Sequence, residues 1–301
     1  MPQPGAPTAP EGAEGKLRGS DERPSNAAIR VLGRRLHRMI DTHCHLADKR
    51  FDKDRDRVFE RAFGAGVKHF IEIAYAPGIV AKAHDLARMH PNLFLCVGVH
   101  PSESGKVPVS YLDELRDHAR HPRVVAIGET GLDFYRDYAS RADQERWFRL
   151  QIDLANELGL PVVIHQRSAL EDTLAILETQ RAQAGGVLHC FDDGPAAAER
   201  ARALGFKLGL GGVLTYGHAE LDAAVQAAPE TMLMLETDAP YLEPEPRSLR
   251  RNEPALLPRV VKRLCELRGW TPEDAVRITT ANAKDLFRLP IGGAPLPTGH
   301  A

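Results

Sequence analysis

The sequence predicts an α/β protein built as a single (β/α)8 TIM barrel. Short apolar, β-branched runs alternate with longer amphipathic stretches eight times within one continuous span. Each short run is apolar throughout, as expected for parallel strands that are buried on both faces. A barrel of this kind needs about 250 residues, so the 301-residue chain accommodates one barrel with additional residues at both ends.

The eight runs with strand character are expected at residues 39–41, 67–73, 93–97, 124–127, 161–164, 186–188, 206–210 and 232–235. The clearest helix follows the fourth run, where Ser140 is a suitable N-cap and Gly159 a suitable end. Trp147 and Leu154 lie between them at helical spacing. A doubly wound open sheet is the alternative, but the sequence has no glycine-rich dinucleotide fingerprint after the first strand and no phosphate-binding loop.

The two ends differ from the middle of the chain. Residues 1–25 contain nine Pro or Gly and almost no large apolar side chain, so they cannot bury enough surface to offset the entropy lost on ordering. We therefore expect a disordered extension over residues 1–38, the barrel over 39–289 and a flexible tail over 290–301. An alternative for the extension is that translation starts at Met39.

Composition excludes several classes of protein. The chain has 39 Lys and Arg against 41 Asp and Glu, a net charge of −2, which excludes a polybasic coat as the main means of binding nucleic acid or membrane. No apolar run reaches the ~18 residues of a membrane span. Four cysteines without a C-x-x-C pair are too few for a disulfide scaffold. These features predict a cytoplasmic protein with no membrane partner.

Polar residues occur where the predicted strands end. Four histidines and two carboxylates occupy these positions, on strands one, four, five, six and eight: His43, His45, Glu129, His165, His189 and Asp238. The carboxyl ends of barrel strands meet at one rim, where barrel active sites are built. A single His-x-His pair is weak support for a metal, but the joint pattern predicts a metal centre. Alternation turns Cys44 and Cys190 away from the rim, so we expect both to be small buried residues.

The ligand set also limits the kind of centre. Imidazoles and carboxylates without thiolates suit Mg, Mn, Zn or Ni and do not decide among them. Five or six ligands exceed what one tetrahedral site needs, which favours two divalent metal ions per subunit with Glu129 as the shared carboxylate. Such a pair supports hydrolysis, and Asp238 is placed to contact one ion and to orient or deprotonate the attacking water. Asp238 and Glu129 are therefore the candidate catalytic residues.

The order and spacing of these motifs resemble the TatD family of metal-dependent deoxyribonucleases over about residues 39–289. The matching segments are 40–46 (IDTHCHL), 97–101 (VGVHP), 126–136 (AIGETGLDFYR), 160–165 (LPVVIH), 187–191 (VLHCF), 235–242 (LETDAPYL), 251–254 (RNEP) and 280–284 (TANAK). The resemblance implies an amidohydrolase-like barrel that hydrolyses phosphodiester bonds in DNA, often as an exonuclease. It further implies one ion held by His43, His45, Glu129 and Asp238, and a second held by Glu129, His165 and His189.

Two segments depart from the family pattern, and both lie where substrate contacts are expected. The basic run before Asn252 reads RSLRR over residues 247–251, and residues 191–194 read FDDG in place of Phe-Ser-Gly. Arg247, Arg250 and Arg251 are candidates for phosphate contacts, or else form a solvated face paired with nearby acids. Tyr135 and Tyr241 either stack on a base or pack within loops. His100 either binds substrate or holds its loop.

Two other classes of function compete with a nuclease that acts on single-stranded DNA or DNA ends. One is a metal-dependent amide or ester hydrolase, such as a D-aminoacyl-tRNA deacylase, for which tRNA is the partner. Many amidohydrolases bridge their metals with a modified Lys on strand four, where this chain has Glu129. The other is a non-catalytic binding module, which predicts an eroded ligand set, whereas every expected ligand is present. A monomer is assumed.

Overall fold

Eight parallel strands form one sheet in the order in which they occur along the chain. The computed structural model describes residues 38–247 and 251–291. The strands are β1 (Met39–Cys44), β2 (Val67–Ala74), β3 (Leu93–Val97), β4 (Val124–Asp133), β5 (Val162–Arg167), β6 (Gly186–Leu188), β7 (Phe206–Leu210) and β8 (Leu233–Leu235). All eight predicted strands are confirmed.

The sheet closes on itself where β8 meets β1. Cys44 and Ala239 form a parallel bridge, and the His45 amide donates to the Ala239 carbonyl at 2.8 Å. The Asp238 amide donates to the His43 carbonyl, also at 2.8 Å. The chain therefore forms a barrel, as predicted, and not the open doubly wound sheet.

Helices follow the strands and cover the outside of the barrel. The α-helices of the described residues are α1 (Arg55–Gly64), α2 (Pro77–Met89), α3 (Tyr111–Ala119), α4 (Arg141–Leu158), α5 (Leu170–Thr179), α6 (Pro195–Ala203), α7 (Ala219–Ala227), α8 (Leu257–Arg268) and α9 (Pro272–Phe287). The predicted caps of α4 are present, because the Ser140 hydroxyl accepts from the Asp143 amide at 3.1 Å and Gly159 ends the helix with φ +65°. Within these described residues, no helix is both long and apolar enough to cross a bilayer.

The barrel interior is filled with apolar side chains. Ile40, Ile71, Phe94 and Met234 are buried there, and Phe287 of α9 packs against the same cluster. A second, larger cluster lies between the strands and the surrounding helices and includes the buried Trp147 ring. Since the interior is packed, a ligand has access only at the carboxyl end of the strands.

Four strands end later than the sequence predicts, and two of these are β2, which ends at Ala74, and β5, which ends at Arg167. β1 continues to Cys44 and β4 to Asp133, so the polar motifs lie within the strands and not after them. The pairing of β4 with β5 skips Glu129, because Gly128 pairs with Val163 and Thr130 with Ile164. The pairing of β1 with β2 also shifts, between Asp41 and Cys44. Such bulges re-aim side chains, and here they lie beside the candidate ligands Glu129 and His43.

Gly131 is required where β4 approaches β5. Its φ is +132°, and a Cβ built there would lie 2.0 Å from the His165 carbonyl oxygen. We expect Gly131→Ala to lower the free energy of unfolding by about 1–3 kcal/mol, because the side chain is both strained and overpacked. Urea denaturation measures this loss. The matched control is Gly64→Ala at the end of α1, where a Cβ meets no atom within 4 Å. Equal midpoints for Gly131→Ala and wild type would contradict the expectation.

Most of the predicted terminal segments lie outside the described residues. This holds for residues 1–37 of the extension and for 292–301 of the tail. The domain boundaries at residues 38 and 289 therefore stay predictions.

Candidate metal centre

The six predicted ligands converge at the carboxyl end of the barrel. A cavity of about 590 Å³ opens there, and His45, Glu129, His165, His189 and Asp238 line it. His43 lies beneath the surface of the cavity with no exposed area. The cavity volume falls within the range of ~300–1,000 Å³ typical of ligand pockets.

One half of the centre joins β1 to the end of β8. His45 Nε2 lies 3.1 Å from Asp238 Oδ1, and His43 Nε2 lies 3.8 Å from the same oxygen. On its other side, His43 Nε2 lies 3.5 Å from Glu129 Oε2. The His43 and His189 rings stack with centroids 3.4 Å apart, which brings β6 into the same half.

The other half lies around the second oxygen of Glu129. His165 Nδ1 lies 2.9 Å from Glu129 Oε1, and His189 Nε2 lies 3.8 Å from it. His100 Nε2 also lies 3.8 Å from this oxygen, and the His100 ring contacts the His165 ring edge to face at 4.4 Å. The Glu129 carboxylate therefore stands between two sets of imidazole nitrogens.

In the described part of the chain, three groups have ligand atoms close enough to hold an ion, with all atoms of a group within 4.8 Å of one another. They are His43 with His45 and Glu129, His43 with His189 and Asp238, and His100 with Glu129 and His165. His100, for which the sequence suggested substrate binding or loop support, thus lies in the half that contains His165. His189 lies close to both halves. Assignment of individual ligands to individual ions stays a prediction.

The residues fit divalent cations. Neither ring nitrogen of His43 has a hydrogen-bond partner in the part of the chain that the structure describes, although the ring is fully buried. An unsatisfied buried polar group costs about 1–3 kcal/mol. The distances of 3.5 Å and 3.8 Å from His43 Nε2 to the oxygens of Glu129 and Asp238 are too long for good hydrogen bonds. They suit two ligands of one ion, since each bond to zinc is about 2.0–2.2 Å. The histidine nitrogens and carboxylate oxygens of the centre can therefore act as ligands of a divalent cation.

The candidate ligands differ in their protonation states. Burial lowers the pKa of His165 and of His189, but Asp133 and Glu129 outweigh it and raise the pKa of His165 to about 9. Glu236 outweighs burial in the same way and raises the pKa of His189 to about 10. These two rings therefore release a proton when they bind an ion.

The other ligands described next already have the state that metal binding needs. Burial, aided by the neighbouring His189, lowers the pKa of His43, so this ring is neutral and keeps a free lone pair. Burial raises the pKa of Glu129, but His43 and His100 outweigh it and hold that pKa well below its ordinary value. The pKa of Asp238 is lowered in the same way, with His45 outweighing burial. Both carboxylates are therefore ionised.

Two buried acids support the ligands, and neither was predicted as a site residue. Asp41 accepts from the Thr237 amide at 2.9 Å and from the Thr237 hydroxyl at 2.6 Å, which ties β1 to the segment before Asp238. Glu236 Oε1 lies 2.7 Å from His189 Nδ1. Both acids belong to motifs visible in the sequence, where an acid within an apolar strand segment is itself a signal.

We expect Glu236→Gln to weaken metal binding about 10–100-fold, because a carboxylate on the far nitrogen of a ligating imidazole orients the ring and raises its basicity. Competition with a chromogenic chelator measures the affinity. Glu230→Gln is the matched control, since Glu230 is exposed at the other end of β8. Unchanged affinity in Glu236→Gln would remove Glu236 from the support of the centre.

A turn after β8 presents Asp238. Its backbone is left-handed, with φ +56°, which is uncommon for a residue other than glycine. The Asn252 side-chain amide donates to the Thr237 carbonyl at 2.8 Å and to the Tyr241 carbonyl at 2.6 Å, so it holds both sides of the turn. The Asn-Glu-Pro motif therefore supports the position of Asp238.

The predicted substrate contacts are dispersed around the rim. Tyr241 lines the cavity, with the Arg50 guanidinium 4.1 Å from its ring centre. Tyr135 is 55% exposed beside the cavity and does not line it. Cys190 was expected to turn inward, but it is half-buried and lines the cavity, because its φ of +49° interrupts the alternation.

Arg247 and Arg251, the described residues of the basic run, do not line the cavity. Arg251 forms ion pairs with Asp54 at 2.8 Å and Glu253 at 2.7 Å, and Arg247 pairs with Glu245 at 3.0 Å. Arg250 lies outside the described residues. Phosphate contact by these three arginines stays a prediction.

The sequence and the fold are similar to those of known proteins. Residues 40–288 match the family model described as TatD-related DNase. The 3′-5′ ssDNA/RNA exonuclease TatD of Salmonella typhimurium is 37% identical over 259 residues, which cover 83% of this chain and 99% of that protein. The metal-dependent hydrolase YabD of Bacillus subtilis is 35% identical over 253 residues, which cover 83% of this chain and 99% of YabD.

Solved structures agree with this similarity. The crystal structure of YjjV, a TatD homologue from Escherichia coli, matches with a TM-score of 0.80 and 32% identity over 84% of this chain and 98% of YjjV. An amidohydrolase from Saccharomyces cerevisiae matches with a TM-score of 0.74 over 83% of this chain and all of that one. At 19% identity, the yeast match supports the fold alone.

Proposed function

The chain belongs to the family of TatD-related DNases and is a metal-dependent hydrolase, and on this premise we propose that it is a 3′–5′ exonuclease of single-stranded DNA that holds two divalent ions. The observation that carries the proposal is the position of Glu129. One of its oxygens faces His43 at 3.5 Å and the other faces His165 at 2.9 Å. A carboxylate with a separate imidazole set on each oxygen is suited to bridge two ions.

The lining of the cavity agrees with a requirement for cations. Five carboxylates and two Lys or Arg side chains line it in the described part of the chain: Glu103, Glu129, Asp133, Asp192 and Asp238, against Lys106 and Arg167. Such a surface repels a phosphodiester. Divalent ions held by His43, His45, Glu129, His165, His189 and Asp238 would reverse the local charge, lower the pKa of water and stabilise both the attacking and the leaving oxygen.

Asp238 is the group best placed to orient the attacking water and accept its proton. It lines the cavity, its carboxylate is ionised, and His45 Nε2 holds one oxygen at 3.1 Å. The left-handed turn and Asn252 fix its backbone. A base fixed at this point contributes typically 10²–10⁴-fold to the rate.

The shape of the cavity favours the end of a single strand. The packed barrel closes it below, and Tyr75 and Tyr241 contribute aromatic rings to its wall. Bases stack on such rings without sequence preference. The 3′–5′ direction is supported by the Salmonella TatD exonuclease, which is 37% identical to this chain.

Labelled oligonucleotides test the reaction and its direction together. A 20-mer labelled at its 5′ end should give a ladder of shortening products with Mg, Mn or Zn, and the same strand labelled at its 3′ end should release labelled mononucleotide at once. The reverse pattern would contradict the direction. Fragments from within the strand at early times would contradict exonuclease action.

The amide and ester alternative is tested with the same preparation. D-aminoacyl-tRNA and a panel of small amides and esters are assayed beside DNA under equal metal loading. We expect turnover on DNA to exceed turnover on the other substrates. Faster release of a D-amino acid from tRNA would replace the nuclease with a deacylase while leaving the metal centre unchanged.

A further inference from the structure

A guanidinium at the cavity mouth has no function in the reaction described above. Arg167 is the last residue of β5 and follows the candidate ligand His165 by two positions, so both side chains point to the same side of the strand. Arg167 lines the cavity and is exposed. Within residues 38–247 and 251–291 its guanidinium forms no ion pair or hydrogen bond, whereas the other Lys or Arg of the lining, Lys106, pairs with Glu103 at 3.0 Å.

An aromatic ring contacts this guanidinium. The Arg167 Cζ lies 3.9 Å from the centre of the Tyr135 ring. The backbone that carries this ring is held by two hydrogen bonds, because the Tyr135 amide donates to Asp133 Oδ1 at 3.0 Å and the Phe134 amide donates to the Arg167 carbonyl at 2.9 Å. A ring face orients a guanidinium without neutralising its charge or occupying its N–H donors.

Asp133 couples this arrangement to the metal centre. Its Oδ1 holds the Tyr135 loop, and its Oδ2 lies 3.3 Å from His165 Nε2. One carboxylate therefore sets the positions of the stacked Arg167 and of a candidate metal ligand. The position of the Arg167 guanidinium relative to the candidate ligand His165 is thus set by contacts to β4 as well as by the loop that carries Tyr135.

We propose that Arg167 binds a phosphate group of the nucleic-acid strand next to the scissile bond, and that Tyr135 is a positioning residue for it. The proposal rests on the proposed exonuclease function. The ligand expected for Arg167 is a phosphate, because the free N–H donors of a planar guanidinium can form two parallel hydrogen bonds to phosphate oxygens. In this proposal Tyr135 supports the Arg167 guanidinium, whereas the sequence suggested that Tyr135 stacks on a base or packs within its loop.

We expect Arg167 to contact a single phosphate, close to the end of the nucleic-acid strand. The groove that continues beyond Arg167 is lined by four carboxylates: Glu171, Asp172, Asp192 and Asp193. A polyanionic strand is repelled from this groove, so further phosphates do not extend past Arg167. The arrangement suits a substrate that enters by its terminus.

Steady-state kinetics on a single-stranded oligonucleotide test the proposal. We expect Arg167→Ala to raise KM about 10-fold to 100-fold, which is the loss of a charged hydrogen-bonded contact, with little change in kcat. The KM of Arg167→Lys should lie between that of wild type and that of Arg167→Ala, since Lys keeps the positive charge but loses the planar fork of donors. Arg141→Ala is the matched control, because Arg141, the first residue of α4, has its guanidinium 3.8 Å from the centre of the Phe134 ring but does not line the cavity.

Equilibrium binding gives a second measurement that a merely structural role would not change. The wild-type protein and the variants are titrated with a hydrolysis-resistant phosphorothioate strand at several salt concentrations. Arg167→Ala should reduce the slope of log K against log salt by about 0.7, the value for one phosphate of a single strand. Tyr135→Phe should keep the wild-type slope and KM, while Tyr135→Ala should raise KM by less than Arg167→Ala does.

The two proposals fail in different ways. Absence of DNA hydrolysis by metal-loaded wild type would overturn the proposed function, and the salt slope on the phosphorothioate strand would still test Arg167. If wild type degrades DNA, and Arg167→Ala leaves both KM and the salt slope unchanged, the phosphate contact is wrong and the nuclease stands. Circular dichroism and thermal melting verify that each variant is folded.

Discussion

Asp238→Asn abolishes turnover while most of the metal stays bound. The amide keeps the size of the carboxylate and an oxygen that can face His45, but it cannot take a proton from water. We expect kcat to fall about 10²–10⁴-fold, the usual contribution of a positioned base. Single-turnover hydrolysis of a labelled strand, with metal content measured on the same sample, separates loss of the base from loss of the ion.

Asp192→Asn is the control for this substitution. Asp192 also lines the cavity but belongs to none of the three candidate ion groups among the described residues, so its variant should keep turnover near that of wild type. Near wild-type turnover in Asp238→Asn would remove Asp238 from the catalytic residues. Loss of metal in parallel with activity would make it a ligand only.

Glu129→Ala removes metal from both positions. Its two oxygens face different imidazole sets, so its loss takes a ligand from each ion. His43 then keeps only Asp238, and His165 only Asp133, as a carboxylate neighbour among the described residues. We expect affinity at both positions to fall by more than the ~10–100-fold that loss of an outer-shell partner costs, and turnover to fall below detection. Metal analysis after equilibrium dialysis measures the occupancy of each position.

The control for Glu129→Ala is Glu103→Gln. Glu103 lines the same cavity and pairs with Lys106, but it is outside the three candidate ion groups found in the described residues. This variant should bind as much metal as wild type. If Glu129→Ala loses only one of two ions, the carboxylate does not bridge them.

Much of the barrel follows from the sequence, because its strands are apolar on both faces and each is followed by a helix pattern. The same logic places His43, Glu129, His165 and Asp238 together, since carboxyl ends of parallel strands share one rim. The sequence does not show which residues of neighbouring strands pair with each other. The bulge at Glu129 and the shift near His43 depend on contacts with neighbouring strands.

The sequence also could not predict roles that depend on contacts with residues far away along the chain. Arg251 looks like a free cation in its own segment, but its partner Asp54 is 197 residues away. Arg167 looks like an ordinary exposed strand end until the Tyr135 ring is seen beneath it. His100 has no ligand at short spacing, yet its loop brings it to within 3.8 Å of Glu129. In each case the charge or ligand environment is set by tertiary contacts.

The net charge of −2 is compatible with a nucleic-acid substrate. The protein has no surplus of basic residues, and in the described lining of the cavity the Asp and Glu side chains outnumber the Lys and Arg side chains. Two bound divalent ions would supply the positive charge that the composition lacks.

Titration of the metal-free protein with Mn²⁺, with release of nucleotides from single-stranded DNA followed at each step, tests the two-ion nuclease most directly. We predict no release without metal, a rise that levels off as the second equivalent binds, and far less release from His43→Ala at every step. A protein that binds metal but releases no nucleotide with Mg, Mn or Zn, or a His43→Ala variant that behaves as wild type, would contradict it.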